Sequence, residues 1–202
     1  MKDTYKTISV PSQEILFKDR NSKFFGYAFP VKSEEDIKTN IETLKKLHNS
    51  ARHWCYAYQI GTDTINYRVN DDGEPNNSAG MPIYGQIQSF DVTNVLIVVV
   101  RYFGGVKLGV GGLINAYKTA AQLALQHSDI KEQLILEELE LKFEYKLMNS
   151  VMRIIKEKQL KIVKQDLELS CKIILAVRKR DFESVFNQIS SIYGLEVMKM
   201  ND

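Results

Sequence analysis

The chain has 202 residues, of which 44% are hydrophobic and 26% are charged, and 27 Lys and Arg residues offset 25 Asp and Glu residues to leave a net charge of +2. These values are typical of a globular protein with one or two hydrophobic cores, and they exclude a histone-like or polybasic protein. Cys55 and Cys171 do not have the spacing of a disulfide framework or a zinc site. The beginning of the chain has no apolar signal region, and the longest aliphatic run, residues 95–100, is too short to cross a bilayer. A cytoplasmic protein without membrane contacts is therefore expected.

Strand and helix patterns alternate through the first 130 residues. Aromatic and β-branched residues around polar turns predict two hairpins, and apolar residues at helical spacing predict helices. One uninterrupted aliphatic segment predicts a strand that is covered on both faces. In chain order the predicted elements are a hairpin over 13–29, a helix over 33–49, a hairpin over 53–70, a weakly helical segment over 77–89, a strand over 95–100 and a helix over 113–126.

Beyond about residue 130 the predicted order becomes strand, helix, strand, strand, helix, strand. The ranges are 134–144, 147–158, 161–168, 171–178, 181–191 and 195–199. This βαββαβ order is that of a ferredoxin-like domain. The sequence therefore predicts an α+β protein with an N-terminal domain over residues 1–130 and a C-terminal ferredoxin-like domain over residues 131–202.

A glycine-rich segment, RYFGGVKLGVGGL, connects the aliphatic strand to the helix that follows it. Backbone N–H groups in such a segment and at a helix N-terminus attract anions, with nearby cations as partners. The predicted residues for binding an anion or a nucleic acid are Arg101, Gly104, Gly105, Lys107, Gly109, Gly111 and Gly112. Because the spacing matches no nucleotide-binding fingerprint, an equally open interpretation is that the glycines serve positive φ angles or close backbone packing.

A second motif, DDGEP, places Asp71, Asp72 and Glu74 within four residues. Such carboxylates can hold Mg²⁺ or act as a general base, but Asp-Gly followed by Glu-Pro is also ordinary turn chemistry, and this interpretation is favoured. The turn and the glycine-rich segment each follow a strand and precede a helix. We therefore expect them to lie side by side and form a single concave anion-binding surface, with positive charge from Arg101 and Lys107 and with the carboxylates turned toward Arg101.

The predicted strand HWCYAYQI has two chemically different faces. Alternation places His53 and Cys55 on one face and Trp54, Tyr56 and Tyr58 on the other. His53 and Cys55 would lie about 7 Å apart, which is too far for a hydrolytic dyad. The aromatic face can stack nucleobases, although a role in the core is favoured.

Three segments in this order, ARHWCYAYQIG, YRVNDDGEPNNSAGMPIYGQI and VVVRYFGGVKLGVGGLINAYKTA, resemble the IMPACT family, including its bacterial, YigZ-like members. The earlier FKDRNSKFFGYAFPV is similar to the N-terminal signature of that family. One departure is Asn77, which stands where the family usually has Gly, so a different loop geometry is expected there. The matching motif positions include His53, Asp71, Asp72, Glu74, Arg101, Lys107 and Tyr117.

The resemblance implies both a fold and a function. It implies an N-terminal domain of the β-α superfamily shared by a small-subunit ribosomal protein and domain four of elongation factor G, and a ferredoxin-like C-terminal domain. Eukaryotic members of the family regulate translation by competing for the activator of a nutrient-sensing kinase, and association with nucleic acid or ribosomes is the usual proposal for bacterial members. No catalytic residues are implied.

We therefore expect a non-catalytic cytosolic regulator that binds RNA or a ribosomal surface, with no cofactor and no metal. Two alternatives stay open. One is an enzyme that acts on a phosphorylated or peptide substrate through His53, Asp71, Asp72 and Glu74. The other is a regulator that binds a protein through its C-terminal sheet.

Overall fold

The structure, a computed structural model, describes residues 3–168 and 170–200. The chain divides into two compact units. The N-terminal unit is Tyr5–Gln133, and the C-terminal unit joins residues 3–4 to residues 134–200. Each unit has its own hydrophobic core, so the chain is a mixed α and β protein of two units.

The N-terminal unit is built on an antiparallel sheet of five strands in the order β2-β3-β6-β4-β5, and β1 pairs separately with β7. Its elements are β1 (Thr4–Ile8), β2 (Ile15–Asp19), β3 (Ser22–Pro30), α1 (Glu34–Leu47), β4 (His53–Ile60), β5 (Asn66–Asn70), α2 (Gly80–Ser89), β6 (Val95–Tyr102), α3 (Gly109–Gln126) and β7 (Ile130–Leu134).

Strand β6 lies at the centre of this sheet, and its residues 95–100 are fully buried. Helices α2 and α3 pack on the face that carries Ile97 and Val99. Helix α1 packs on the opposite face, which carries Leu96 and Val98. The prediction of an aliphatic strand covered on both faces is confirmed.

Helix α3 begins at Gly109, four residues before the predicted start at residue 113. Leu108 and Leu113 both enter the core beneath the sheet. Burying two leucine side chains outweighs the cost of about 1 kcal/mol that each glycine brings to a helix. Gly109, Gly111 and Gly112 therefore belong to the first turn of the helix and not to a loop.

Two differences from the sequence prediction concern the strands. Strand β1 precedes the first predicted hairpin, and the predicted strand over 134–144 is divided between the end of β7 and a new strand, β8 (Leu136–Glu144). The division falls at Ile135, whose N–H donates to the carbonyl oxygen of Asp3 at 2.8 Å. This bond joins residue 3 to the C-terminal unit.

The C-terminal unit follows the predicted order of elements. After β8 come α4 (Met148–Glu157), β9 (Lys161–Leu167), β10 (Ser170–Arg178), α5 (Phe182–Ser190) and β11 (Leu195–Met200). The strands form an antiparallel sheet in the order β11-β8-β10-β9. Both helices pack on the face that carries Leu139 and Leu141. On the other face Glu140 is held between Lys142 and Lys172, at 3.1 and 2.7 Å.

No helix in the described part of the chain is long and apolar enough to span a membrane.

Candidate functional site

Arg101, near the end of β6, lies in a row of side chains that crosses three strands. It stands opposite Phe24 of β3 and opposite His53 of β4, and residues opposite each other in an antiparallel pair share a face. The guanidinium group lies over the ring of Phe24 at 5.5 Å and over the ring of Phe103 at 5.6 Å. These two rings hold the guanidinium group of Arg101 in position.

Asp71, in the DDGEP turn, holds the beginning of α2. Its Oδ1 accepts hydrogen bonds from the N–H groups of Ala79 and Gly80, at 2.9 and 2.8 Å, and its Oδ2 accepts one from Asn77 at 2.9 Å. Ala79 occupies the N-cap position and has no side-chain oxygen to serve as a cap. Asp71 therefore supplies from a distant turn the cap that the local sequence lacks.

Asp72 ties the same turn to β4. Its Oδ2 accepts a hydrogen bond from the N–H of Trp54 at 2.6 Å, and its carbonyl oxygen lies 2.9 Å from Nδ1 of His53. Because a carbonyl oxygen only accepts, Nδ1 of His53 carries the proton. Asp72 and Gly73 take positive φ angles of 42° and 84°, which the reversal of the chain at this turn requires.

Glu74 forms a buried ion pair with Arg101. Its Oε1 lies 2.6 Å from Nη1 of Arg101, and the two side chains are only 5% and 6% exposed. The hydroxyl group of Tyr117 on α3 donates to the same oxygen at 2.7 Å. The expectation that a carboxylate of the turn faces Arg101 is confirmed. The charge of Arg101 is thereby neutralised inside the protein, which leaves it no role as an open anion ligand.

Two further groups at this cluster are held in their neutral forms. Burial raises the pKa of the Cys55 thiol, and the thiol donates to the carbonyl oxygen of Asp71 at 3.0 Å. Burial also raises the pKa of the Tyr117 hydroxyl. A neutral thiol that is fully buried is not an activated nucleophile. The cluster joins the turn, β4, β6 and α3 and has the chemistry of a structural network.

The glycine-rich segment runs from the end of β6 into α3, and its glycines have different roles. A Cβ at Gly104 would lie 2.1 Å from the backbone of Asn21, so this glycine permits close packing against the tip of the β2–β3 hairpin. Gly105 and Gly109 have φ angles of 86° and 76°. A Cβ at Gly105, Gly109 or Gly111 would meet nothing within 4 Å. The segment is therefore packed at Gly104 and open at Gly105, Gly109 and Gly111, whereas a Cβ at Gly112 would lie 3.0 Å from the Cβ of the buried Leu108.

The N-terminus of α3 is exposed and has no capping side chain among the described residues. Leu108 is its N-cap residue, no side chain caps it, and no acidic residue lies in its first turn. Gly109, Val110 and Gly111 are exposed, and so is Lys107 immediately before them. Free N–H groups beside a lysine favour an anion. Whereas Asp71 caps α2, the described residues give α3 neither a side-chain cap nor an acidic residue in its first turn.

Basic residues on the hairpin tip were missed by the sequence prediction. The tip lies against Gly104 and carries the exposed side chains of Lys18, Arg20 and Lys23. Lys18 and Lys23 stand directly opposite each other on β2 and β3, where like charges repel. The signal was present in the segment FKDRNSK, which has a lysine on either side of the predicted turn.

The structure also gives the conformation of Asn77 and tests whether metal ligands are grouped. Asn77 takes a φ of 61°, a left-handed conformation that Asn tolerates better than most residues. Within residues 3–168 and 170–200 no three His, Cys, Asp or Glu side chains are grouped as metal ligands would be. The carboxylates of DDGEP accept from backbone amides, Arg101 and Tyr117 through both oxygens of Asp71, Oδ2 of Asp72 and Oε1 of Glu74.

The fold and the site together define a two-unit α and β protein with an exposed glycine-rich helix start beside a buried ionic cluster. Residues 20–125 match the family model described as the Impact N-terminal domain. An IMPACT family member from Haemophilus influenzae is 30% identical over 187 residues, which make up 90% of this chain and 90% of that protein. The IMPACT family member YigZ of Escherichia coli is 31% identical over 151 residues, or 74% of each chain. The chain belongs to the IMPACT family.

A solved structure has the same overall fold. It is described as the crystal structure of a hypothetical protein, and it matches 100% of both chains with 24% sequence identity and a TM-score of 0.75. At this identity the likeness concerns the fold and not the function.

Proposed function

We propose that the protein acts in the cytosol, binds RNA or a ribosomal surface through its glycine-rich segment and thereby modulates translation. The translational role is supported by membership of the IMPACT family and by what the family resemblance implies. The binding role is supported by the chemistry of the N-terminal unit. No step of the proposal requires catalysis.

The main support for the proposal is that the N-terminus of α3 is exposed and has no capping side chain among the described residues. This helix has 18 residues and neither a side-chain cap nor an acidic residue in its first turn. The cap and first turn of the helix therefore supply no side-chain oxygen that neutralises its positive end. Because Gly105, Gly109 and Gly111 present no side chain, a bulky anion such as a phosphate diester can approach the backbone N–H groups directly.

Exposed cations lie near this helix start. Lys107 lies in the segment itself, and Arg20 lies at the turn of the neighbouring hairpin tip. Lys18 and Lys23 of the same hairpin stand in register with Tyr102 and therefore share the α1 face of the sheet. Cations on neighbouring segments match the repeated charge of a nucleic-acid backbone.

Phe103 adds a site for base stacking. Its side chain is 55% exposed, although large apolar side chains are normally buried. The guanidinium of Arg101 lies over the ring at 5.6 Å and holds it in position. An exposed, fixed aromatic ring beside backbone-binding cations is typical of surfaces that bind single-stranded nucleic acid.

The superfamily relationships of the two units form part of the same proposal. The antiparallel sheet order β11-β8-β10-β9 and two helices on one face support a ferredoxin-like C-terminal unit. For the N-terminal unit we propose the β-α superfamily shared with the ribosomal protein and domain four of elongation factor G. Both relationships fit a protein that works at the ribosome, although a shared fold is only an analogy for function.

The enzyme alternative has less support from the site. It would use Asp71, Asp72 and Glu74 as acid, base or metal ligands. Asp71 instead caps α2, Asp72 accepts from Trp54, and Glu74 is paired with Arg101. These contacts engage both oxygens of Asp71, Oδ2 of Asp72 and Oε1 of Glu74 with protein groups.

The proposal is tested with the Lys107→Ala variant and fluorescently labelled single-stranded RNA. Binding is followed by anisotropy between about 50 and 200 mM salt, the range over which phosphate contacts weaken strongly. We expect weaker binding to all sequences by a similar factor and a salt slope that is smaller by about 0.7, the contribution of one phosphate contact on a single strand.

The matched control is Lys46→Ala, which removes an exposed lysine from the last turn of α1. It should leave both affinity and salt slope unchanged. If Lys107→Ala behaves like this control, the proposed binding surface is wrong and the glycines serve packing alone. The same holds if the unaltered protein binds neither RNA nor ribosomes.

A further inference from the structure

A groove of about 460 Å³ lies between α1 and the β4–β5 side of the sheet. Its floor is formed by Trp54, Tyr56 and Tyr58, which share the α1 face of β4. Arg68 and Asn70 of β5 form one side. The volume lies within the range of about 300–1,000 Å³ that is usual for small-molecule sites. This groove is on the other face of the sheet from α3 and is separate from the glycine-rich segment.

The aromatic floor is only partly covered by the protein. Trp54 and Tyr56 are half-buried, although they occupy a central part of the sheet. Nε1 of Trp54 is inaccessible to solvent and has no hydrogen-bond partner among the described residues. A buried donor without an acceptor is destabilising. Because Nε1 is inaccessible, a ligand on this floor can contact the ring face of Trp54 but not its N–H group.

The charges around the groove are mixed and unevenly placed. Helix α1 contributes Glu34, Glu35, Glu42, Lys38 and Lys45, and the opposite side carries Arg68 and Asp72. A polyanion would meet the carboxylates, and a polycation would meet the three basic side chains. The lining instead suits a ligand with one anionic end and several neutral hydrogen-bond donors.

We propose that this groove binds a nucleoside monophosphate unit, with the base stacked on Trp54 and Tyr56 and the phosphate bound by Arg68 and Lys38. The carboxylates of α1 would then accept hydrogen bonds from ribose hydroxyls, a role that acidic residues perform in other nucleotide sites.

The spacing on the sheet agrees with such a ligand. Tyr56 of β4 stands opposite Asn70 of β5. Arg68 lies two residues before Asn70 on β5 and stands opposite Tyr58. Diagonal neighbours of this kind are separated by about 7–8 Å. A base stacked on Tyr56 therefore has its own phosphate within reach of the long Arg68 side chain.

Tyr58 and Glu34 lie at the end of the groove that contains Arg68. Burial and the neighbouring Glu34 raise the pKa of the Tyr58 hydroxyl. The hydroxyl therefore remains protonated and can donate to this carboxylate. Lys45 lies over the Trp54 ring at 5.7 Å and shows that this ring face already attracts a flexible cation. A stacked base would replace the Lys45 ammonium group.

The chain contains a single tryptophan, so tryptophan fluorescence reports directly on this groove. The four nucleoside 5′-monophosphates are titrated into the unaltered protein, and affinities are checked by calorimetry. We expect saturable quenching, and we expect adenosine to bind about tenfold more weakly than AMP because the charged phosphate contacts are lost. Tyr56→Ala should weaken both ligands by about tenfold through the loss of stacking.

Arg68→Gln should weaken AMP by about tenfold and leave adenosine unchanged. The matched control is Arg52→Gln, an exposed arginine outside the groove, which should bind AMP normally. A short single-stranded RNA distinguishes a free nucleotide from the unpaired nucleotide of an RNA. Quenching by the RNA with no response to AMP would assign the same site to RNA.

The proposal is overturned if neither AMP nor RNA quenches Trp54, or if the quenching is the same in Arg68→Gln and Arg52→Gln. Lys107→Ala separates this result from the proposed function. It affects RNA binding at α3 and should leave AMP binding in the groove unchanged.

Discussion

The buried pair of Glu74 and Arg101 gives a quantitative test of the cluster. In Glu74→Ala the guanidinium of Arg101 loses its partner at 2.6 Å while it stays almost completely buried. Its Nε already has no hydrogen-bond partner among the described residues. Removing one member of a buried ion pair costs about 3–5 kcal/mol, out of the roughly 5–15 kcal/mol that stabilise a domain.

The assay is urea unfolding followed by the fluorescence of Trp54, which lies in the N-terminal unit. With a slope of about 2 kcal/mol per molar urea, the midpoint for Glu74→Ala should fall by about 2 M. The exposed control Glu42→Gln should change the free energy of unfolding by less than about 0.5 kcal/mol. A fall of less than about 1 kcal/mol for Glu74→Ala would refute the assignment of a buried pair.

A double variant separates the charge from the packing. When Glu74→Met and Arg101→Met are combined, no buried charge is left unpaired, and an apolar replacement of a buried pair is often neutral or stabilising. We expect the double variant to be more stable than Glu74→Ala. If it is instead less stable than either single variant, the ion pair contributes more than its own desolvation cost.

Two further predictions concern the glycines and the pH dependence of stability. Gly104→Ala should lower the free energy of unfolding by more than about 3 kcal/mol, because its Cβ would meet backbone at 2.1 Å. A Cβ at Gly111 would meet open space, so Gly111→Ala should raise the free energy of unfolding by about 0.4–1 kcal/mol. Equal effects of the two variants in urea unfolding would contradict the packing argument. Burial lowers the pKa of His48 below 6.5, so below pH 6.5 the unfolded chain binds a proton that the folded chain does not. Stability should therefore fall as the pH drops from about 7.5 to 5.5, and a His48→Gln variant with an equally steep pH dependence would show that another group is responsible.

Local patterns predicted much of the secondary structure. The helix predicted from Ser33 begins with a capping box in which Ser33 accepts from Asp36 and Asp36 accepts from Ser33. The first hairpin turns at Arg20 and Asn21, with φ angles of 43° and 65°, as the polar turn predicts. Capping and turn formation depend on residues within three or four positions, and the linear sequence contains all of that information.

The candidate site was predicted only in part. The sequence predicted that DDGEP lies near Arg101, and the Glu74–Arg101 pair confirms this contact. The sequence did not predict that Asp71 caps α2, because the backbone groups that Asp71 binds lie six to nine residues further along the chain. The binding role of Lys107 and the exposed glycines stays a prediction.

The sequence by itself determined where strands and helices form, because hydrophobic periodicity and turn chemistry act over a few residues. Only the tertiary structure decided which charged side chains are paired inside the protein and which remain exposed to bind a ligand. Arg101 and Lys107 are six positions apart, yet the first is buried against Glu74 and the second is exposed beside α3. The difference arises because sheet register and helix packing bring Glu74 and Tyr117 to Arg101 from 27 and 16 positions away, and no local pattern specifies such long-range contacts.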